Sequence, residues 1–354
     1  MSLSIGIVGL PNVGKSTLFT ALTKKGGLAA DYPFAFTETN IGAVPVPDTR
    51  LDALAQIDRP AKIIPATVEF VDIAGLMAGS SRGEGLGNKF LANIREADAI
   101  CEVVRLFESP GVMHVAGKID PVGDAETLKL ELIFADMATI ERALPRIERE
   151  LRRDKSYELK LAVAKKVLAG FDEGLRALDL SLSKEEREAI YDLHLLTMKP
   201  SLYVANIDEG QLDADFPLIE GKPMIPICAQ TEADLSELDP EEAREYRESL
   251  GLDESGLVRL VREAYRLLGL QSYFTSGEKE TRAWTIPIGA KAPQAAGVIH
   301  SDFERGFIKA ETASFADYVA FKGEAGCRAA GKLRLEGKEY VVQDGDVMHF
   351  KFNV

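Results

Sequence analysis

Residues 9–16 of this 354-residue chain read GLPNVGKS, and this octapeptide constrains the fold more than any other feature of the sequence. It fits the pattern G-x-x-x-x-G-K-[ST], which arises by chance in a chain of this length with a probability on the order of one per cent. A β-branched run, SIGIVG, precedes it at residues 4–9, and a helix-forming stretch follows at residues 15–24. The sequence therefore predicts a strand, a tight loop and a helix, the context of a phosphate-binding loop.

Such a loop predicts how a nucleoside triphosphate is held. Backbone N–H groups surround the β-phosphate, and the N-terminal end of the helix adds positive potential. Lys15 neutralises the β- and γ-phosphates and is expected to be catalytic, while the Ser16 hydroxyl is an expected Mg²⁺ ligand. Asn12 adds a side-chain oxygen that can hold a monovalent cation such as K⁺. The nucleotide-binding residues expected here are Gly9, Pro11, Asn12, Val13, Gly14, Lys15, Ser16 and Thr17.

A second motif, DIAG at residues 72–75, directly follows the apolar run VEFV. The Asp72 carboxylate at the end of that strand is expected to hold the water shell of Mg²⁺. Gly75 can offer its N–H to the γ-phosphate, which places it with the catalytic candidates. The glycine-rich continuation at residues 77–90 is typical of a switch segment.

Composition excludes several classes of protein. With 46% hydrophobic and 28% charged residues the chain is typical of a folded protein of two or three domains. Its net charge of -14 opposes general adhesion to nucleic acid, so any RNA contact needs a local basic patch. The three cysteines show no spacing for zinc or redox chemistry. Without a signal peptide pattern or a run of about 18 apolar residues, we expect a soluble cytoplasmic protein with no membrane contact.

Short apolar runs at residues 68–73, 201–205 and 223–227 alternate with helical stretches, which predicts an α/β domain with a mostly parallel sheet. Residues 124–197 differ, because apolar positions there recur at helical spacing, as in Val163, Val167 and Phe171 with Leu159. This segment predicts an antiparallel helical insertion. Asp124 is expected to cap one of its helices.

Two further details refine that insertion. Ser183 and Glu186 form a capping-box pattern for a second helix. Pro145 and Gly170 argue against one unbroken rod.

The last segment, residues 284–354, predicts a separate β-rich module. Its strand-like runs are separated by Gly, Pro and Asp turns. They read WTIPI, GVI, FIKAE, KLRLE, EYVV and HFKFNV.

Taken together, these residues resemble a known family. GLPNVGKSTLF, YPF at residues 32–34, PVPD at residues 45–48 and DIAGL followed by GEGLGNKFLANIREADAI are similar to the YchF branch of the Obg-related GTPases. The C-terminal GKLRLEGKEYVVQDGDVMHFKFNV resembles the TGS module of that branch, and the similarity covers essentially the whole chain.

The resemblance implies a P-loop G domain at residues 1–123 and 198–276. It also implies an inserted coiled-coil-like helical domain at residues 124–197 and a β-grasp TGS domain at residues 277–354. It implies ATPase activity and a ribosome or ribosomal RNA partner, bound through the TGS or the helical domain, with a regulatory role in translation or stress. The protein is expected to be a monomer.

The base-reading motif departs from that of a guanine site. Guanine-specific sites offer N-K-x-D, whereas this chain has Asn206, Ile207, Asp208 and Glu209 after the run SLYVA. Losing the matched acceptor removes about 1–3 kcal/mol of preference for guanine. YchF-like proteins share this departure and favour ATP, so we expect ATP as the substrate and GTP as the weaker one, unless Asp208 shifts to read guanine. The other base-side residues expected are Cys228, Ala229 and Gln230.

The position that activates water in Ras-like hydrolases also departs from the usual pattern. Leu76 stands where Ras-like hydrolases have a glutamine, and leucine cannot hydrogen-bond. His114, in the loop-like stretch ESPGVMHVAGK, is the catalytic candidate among four histidines, with a purely structural role as the alternative. In the first switch Phe36 replaces the expected Mg²⁺-binding threonine, and Thr37 or Thr39 can take over.

Three functions stay open at this point. The first is an ATPase whose nucleotide state switches its affinity for the ribosome. The second is a nucleotide-gated binding module with vestigial hydrolysis, which Leu76 and Phe36 favour. The third is a GTP-specific ribosome assembly factor. Basic residues that can contact RNA from the TGS module are Arg305, Lys309, Arg328, Lys332, Arg334 and Lys338.

Overall fold

A computed structural model describes residues 3–25, 41–73, 86–109, 114, 117–212 and 214–353. By contacts between Cα atoms the chain divides into two compact units. One comprises Met1–Gly42 and Glu69–Leu260, and the other Ala43–Val68 and Val261–Val354. Residues 43–68 therefore group with the C-terminal part of the chain, whereas the expected boundaries placed them in the G domain. The domain boundaries expected from the sequence stay predictions.

The strands are short, as strands in globular proteins usually are. In chain order they are β1 (Ser4–Val8), β2 (Ile41–Pro45), β3 (Ile63–Ile64), β4 (Thr67–Asp72), β5 (Ala99–Arg105), β6 (Ser201–Asn206), β7 (Met224–Ile227), β8 (Leu270–Thr275), β9 (Thr281–Pro287), β10 (Phe307–Ser314), β11 (Arg334–Glu336) and β12 (Asp346–Phe352).

The helices range from one turn to more than eight. They are α1 (Lys15–Lys25), α2 (Thr49–Asp58), α3 (Leu86–Glu96), α4 (Pro121–Leu151), α5 (Tyr157–Asp172), α6 (Lys184–Ala189), α7 (Ala229–Leu235), α8 (Pro240–Ser249), α9 (Gly256–Leu267), α10 (Ala292–Ile299), α11 (Ser301–Arg305), α12 (Phe315–Ala320) and α13 (Glu324–Ala329). Among the described helices, none combines the length and the apolar character that crossing a bilayer requires.

The first sheet has the strand order β2-β4-β1-β5-β6-β7. The pairs β1–β4, β1–β5, β5–β6 and β6–β7 are parallel, which confirms the mostly parallel sheet. Parallel pairing places the carboxyl ends of these strands along one edge, so the phosphate loop after β1, Asp72 in β4 and Asn206 in β6 lie on the same side. Strand β5 lies outside the apolar runs expected from the sequence, although it is central and every residue in it is buried.

The helical segment differs from its prediction in two details. The side chain of Asp120, not Asp124, caps α4, because Asp120 accepts a hydrogen bond from the N–H of Gly123 while Asp124 lies inside the first turn. Pro145 lies within α4, so the helix continues through it, and the break comes after Leu151. The capping box of Ser183 and Glu186 is confirmed at the start of α6.

An apolar core holds this helical segment together. It is formed mainly by side chains of α4 and α5 that recur every three or four residues. Its buried members include Ile133, Ile140, Val163, Val167 and Phe171. Val163, Val167 and Phe171 are buried in it as predicted, whereas Leu159 is exposed.

The second sheet has the order β11-β10-β12-β8-β9-β3. Its inner strands β12 and β8 are parallel, while the pairs β8–β9, β10–β11 and β10–β12 are antiparallel. This order, with α10 packed on one face, is a β-grasp arrangement. Tyr273, Trp284 and Phe350 from the sheet pack against Ala292 and Ala295 of α10, and the Tyr273 hydroxyl donates a 2.8 Å hydrogen bond to the carbonyl of Ala295.

Two predicted strands of this module are wrong. GVI, residues 297–299, forms the end of α10, since three apolar residues cannot distinguish strand from helix and the preceding APQAA is helix-forming. EYVV forms no strand; Val341 makes one isolated bridge to Lys291. The sheet also contains β8, which begins before the expected start of the module.

Candidate nucleotide-binding site

The backbone of the phosphate loop takes conformations that need its glycines. Gly14 has a φ of 93° and Gly9 a φ of 154°, and Asn12 is a non-glycine residue at 65°. A Cβ atom on Gly14 would collide with Nδ2 of Asn206, and one on Gly9 with the carbonyl oxygen of Val103. These two positions therefore exclude side chains on steric as well as conformational grounds.

The Lys15 side chain folds back into the loop. Its Nζ donates hydrogen bonds to the carbonyl oxygens of Gly9, at 3.1 Å, and Leu10, at 2.7 Å, and the residue is 7% exposed. Burial lowers the pKa of Lys15 to about 8, against the opposing effect of the Asp72 carboxylate. The ammonium thus lies inside the loop, with two backbone carbonyl oxygens as its hydrogen-bond partners.

Ser16 and Asp72 bring two oxygen ligands together. The Ser16 hydroxyl donates a 3.2 Å hydrogen bond to Oδ2 of Asp72 across 56 residues of sequence. A hydroxyl beside a carboxylate is the type of oxygen set that Mg²⁺ prefers. Ser16 and Asp72 therefore fit the Mg²⁺ ion expected from the sequence.

The other predicted loop residues differ in exposure. Val13 is buried, Pro11 and Thr17 are half-buried, and Asn12 is exposed. Contacts of Val13 and Thr17 with a nucleotide would therefore run through their backbone N–H groups.

Asn206 connects the phosphate loop to the segment after β7. Its Nδ2 donates a 2.9 Å hydrogen bond to the carbonyl of Val13, and its Oδ1 accepts a 3.1 Å hydrogen bond from the N–H of Ala229. The residue is buried, so both amide atoms are satisfied within the protein. Asn206 thus brings together two predicted nucleotide-binding segments.

The other residues expected on the base side differ from Asn206 in burial and in their contacts. The Ile207 side chain is 1% exposed and packs in an apolar cluster with Val104 and Tyr203, so it lies in the core rather than at the site surface. Cys228 directly precedes α7 and is half-buried. The Gln230 side chain donates a hydrogen bond along α7 to Asp234.

The two acidic residues of the base-reading motif have separate partners. Oε1 of Glu209 accepts hydrogen bonds from the hydroxyls of Tyr246, at 2.9 Å, and Thr231, at 3.1 Å. Oδ2 of Asp208 accepts a 2.9 Å hydrogen bond from the N–H of Glu108. No local sequence pattern marks Thr231 and Tyr246, because they contact Glu209 from 22 and 37 positions away along the chain.

His114 forms a buried pair with an acidic residue of α4. Its Nε2 lies 2.9 Å from Oδ2 of Asp124, and both side chains are at most 6% exposed. Burial raises the pKa of Asp124, and the hydrogen bond from His114 opposes that rise. The pair fixes the imidazole orientation, which suits either a structural or a water-orienting role.

Several predicted residues lie outside the described part of the chain. They are Thr37 and Gly75, together with Phe36, Thr39 and Leu76. Their expected roles at the metal and the γ-phosphate stay predictions.

The basic residues predicted on the C-terminal module are mostly engaged with carboxylates. The ion pairs are Arg305 with Asp302, Arg328 with Glu311 and Glu324, Lys332 with Asp317, and Arg334 with Glu336 and Asp346. Within the described part of the chain, Lys309 and Lys338 have no such partner.

Comparison with known proteins covers both ends of the chain. Residues 4–133 match the MMR_HSR1 family, described as 50S ribosome-binding GTPase, and residues 270–353 match YchF-GTPase_C, described as a protein of unknown function (DUF933).

Full-length relatives extend this similarity. The ribosome-binding ATPases YchF of Haemophilus influenzae and Bacillus subtilis are 53% and 49% identical, with 100% of both chains covered in each case. The solved structure of the Schizosaccharomyces pombe YchF GTPase is 38% identical, with a TM-score of 0.88 over 99% of this chain and 98% of that one. The phosphate loop, the Asn206 connection and this end-to-end similarity lead to one assignment: the chain is a member of the YchF family.

Proposed function

We propose that this protein hydrolyses ATP in preference to GTP and uses the bound nucleotide to regulate its association with the ribosome. The observation that carries the proposal is the phosphate loop, with the Lys15 ammonium inside it and Ser16 beside Asp72. The relatives named ribosome-binding ATPase YchF support the activity and the partner.

In this proposal Lys15 supplies the fixed cation for the β- and γ-phosphates. Ser16 and Asp72, with Thr37, would hold Mg²⁺, which offsets phosphate charge when bound, and Gly75 would contact the γ-phosphate. Asn12 is the proposed contact for K⁺, which turnover in potassium against sodium salts would test.

The first experiment removes the loop cation. Lys15→Ala should abolish ATP turnover and weaken nucleotide binding. Lys24→Ala is the matched control, because Lys24 lies on the same helix and pairs with Glu237 in an exposed salt bridge of the kind that contributes little. Turnover that survives Lys15→Ala would contradict the assignment of the loop.

The two acidic side chains of the base-reading motif support the proposed preference for adenine. Glu209 replaces the shorter aspartate of guanine sites, and Asp208 is engaged with the backbone of Glu108. Titration with ADP and GDP should give tighter binding of ADP. Glu209→Asp should shift the ratio toward GDP, whereas Ile207→Lys would bury an ammonium in the apolar core and is unsuitable.

His114 is proposed to orient the attacking water, with Asp124 holding the imidazole. His114→Ala should lower turnover about 100-fold. Its ADP affinity should stay within about twofold, since imidazole acts on the chemical step. Normal turnover with a lowered melting temperature would instead assign the pair a structural role.

For ribosome contact we favour the helical segment over the C-terminal module. The turn between α4 and α5 exposes Arg152, Arg153 and Lys155, which have no ion-pair partner among the described residues. Most cations of the C-terminal module already pair with carboxylates, which leaves them less available to phosphates.

Two charge-reversal variants distinguish ribosome binding by the helical segment from binding by the C-terminal module. Arg152→Glu with Arg153→Glu should reduce ribosome co-sedimentation and its salt dependence, with intrinsic ATP turnover unchanged. Lys309→Glu with Lys338→Glu should have little effect. The opposite pattern would move the contact to the C-terminal module. We further propose a cytoplasmic monomer, which sedimentation velocity and cell fractionation would test.

A further inference from the structure

Three side chains from separate elements meet beside the base-reading motif. Glu209 follows β6, Thr231 lies in α7 and Tyr246 lies in α8. Both hydroxyls point to one carboxylate oxygen, Oε1 of Glu209, at 3.1 and 2.9 Å. Among the described residues, none donates a hydrogen bond to the second oxygen, Oε2. In the described part of the chain, Oε1 of Glu209 thus has two donors, whereas Oε2 has none.

The location of this group follows from its neighbours. Asn206, three residues before Glu209, contacts the phosphate loop at Val13. Ala229, two residues before Thr231, donates to the same Asn206 side chain. Glu209 thus lies next to the two segments that Asn206 joins, where the base of a nucleotide held by the loop would reach.

The hydrogen-bond donors on the two bases determine which base a carboxylate with one occupied oxygen can bind. Guanine presents two adjacent donors, N1–H and the exocyclic amine, which suit a carboxylate with both oxygens available. Adenine presents one exocyclic amine beside an acceptor nitrogen, so a single available oxygen suffices. Two hydroxyls on Oε1 therefore weaken the guanine pairing and leave the adenine pairing intact.

We infer that Tyr246 and Thr231 are positioning residues that set the base preference of the site by occupying one oxygen of Glu209. The inference rests on the proposed ATP-preferring function and identifies what enforces the preference.

Of the two residues, Tyr246 makes the simpler contact. Thr231 also lies 3.0 Å from Sγ of Cys228, and its single hydroxyl hydrogen serves one acceptor at a time, with the carboxylate the stronger one. The Tyr246 side chain is partly exposed, so losing its hydroxyl leaves no buried polar atom without a partner. The hydrogen bond to Glu209 raises the pKa of the Tyr246 phenol, which therefore stays a donor at neutral pH.

The test measures dissociation constants for ADP and GDP in the full-length protein. Tyr246→Phe should lower the preference for ADP by about three- to tenfold, the effect of one hydrogen bond. Adding Thr231→Val should lower it further, whereas Thr231→Ser should keep the wild-type ratio. Tyr191→Phe, at an exposed tyrosine of the helical segment, is the matched control.

A double-mutant cycle separates action through Glu209 from a structural effect. In the Glu209→Ala background, Tyr246→Phe should leave the ADP to GDP ratio unchanged. An equal change in both backgrounds, or a ratio within about twofold of wild type in the folded Tyr246→Phe, Thr231→Val double variant, overturns the inference. A wild-type protein without preference for ADP overturns the proposed function itself, so the two failures are distinguishable.

Discussion

The side-chain amide of Asn206 donates a 2.9 Å hydrogen bond to the carbonyl oxygen of Val13, 193 residues earlier in the chain. The Oδ1 atom of the same side chain accepts a hydrogen bond from the N–H of Ala229. One buried residue thus fixes the separation of the phosphate loop and the segment that begins α7.

Asn206→Ala should therefore weaken both stability and binding. Removing the amide leaves the Val13 carbonyl and the Ala229 N–H without partners, which costs about 1–3 kcal/mol per buried group. Chemical denaturation should show the loss, and calorimetry should show weaker ADP binding. Asn206→Asp keeps the acceptor and loses the donor. It should therefore retain the Ala229 contact, but its ADP affinity should be lower than that of the wild type. Wild-type ADP affinity in Asn206→Ala would contradict this role.

Gly14→Ala should impair nucleotide binding more than any change in a surface glycine. A Cβ atom would meet the Asn206 amide, and the φ of 93° adds strain of about 1–3 kcal/mol. We expect ADP affinity to fall about tenfold or more, since 1.4 kcal/mol corresponds to a factor of ten. Gly337→Ala, where a Cβ meets nothing within 4 Å, is the control. Equal ADP affinities in the two variants would show that the loop tolerates the side chain.

The lowered pKa of Lys15 predicts that nucleotide binding depends on pH. In the free protein the ammonium loses its proton as the pH rises through about 8. Phosphates favour the charged form, so above pH 8 binding should take up a proton, and ADP affinity should fall by at most about tenfold per pH unit.

Calorimetry at pH 8.5 in two buffers of different ionisation enthalpy measures that proton uptake directly. Lys15→Gln should bind ADP more weakly, and this dependence between pH 7 and 9 should disappear. Identical binding enthalpies in both buffers for the wild type would contradict the prediction.

Glu102 in β5 should make stability fall as the pH rises. Burial raises its pKa well above the ordinary 4.5, helped by Glu220 and Asp124 and opposed by Arg176. Because the folded protein then binds this proton more tightly than the unfolded chain, stability should decline from about pH 4.5 upward, through the folded pKa, by at most about 1.4 kcal/mol per pH unit.

Glu102→Gln removes this penalty. Urea denaturation should show the variant to be more stable than wild type at pH 8, with a smaller difference at pH 5. A variant that is less stable than wild type at pH 8 would mean that the carboxylate is ionised and well paired there.

Several of these placements were predictable because the residues stand in local patterns. The loop around Lys15, Asp72 at a strand end and the capping box at Ser183 each combine a residue type with a fixed spacing. The run AICEVVR of β5 lacks such a mark, since a strand buried on both faces shows no alternation. The Glu209 contacts and the burial of Ile207 depend on chain folding between distant segments, which spacing alone does not encode.

Because the site lies along one edge of the parallel sheet, a shortened chain can bind nucleotide only if it keeps all the strands that form this edge. Residues 1–200 contain the whole phosphate loop, Asp72 and α4, and therefore the main sequence motifs of a nucleotide-binding site. They lack β6 and β7, and with these the Asn206 amide that fixes Val13 and the α7 segment that it joins. A fragment ending there would keep the sequence signature of a nucleotide site and lose the strands that hold it, so a chain truncated after residue 200 should bind ADP far more weakly than the full-length protein.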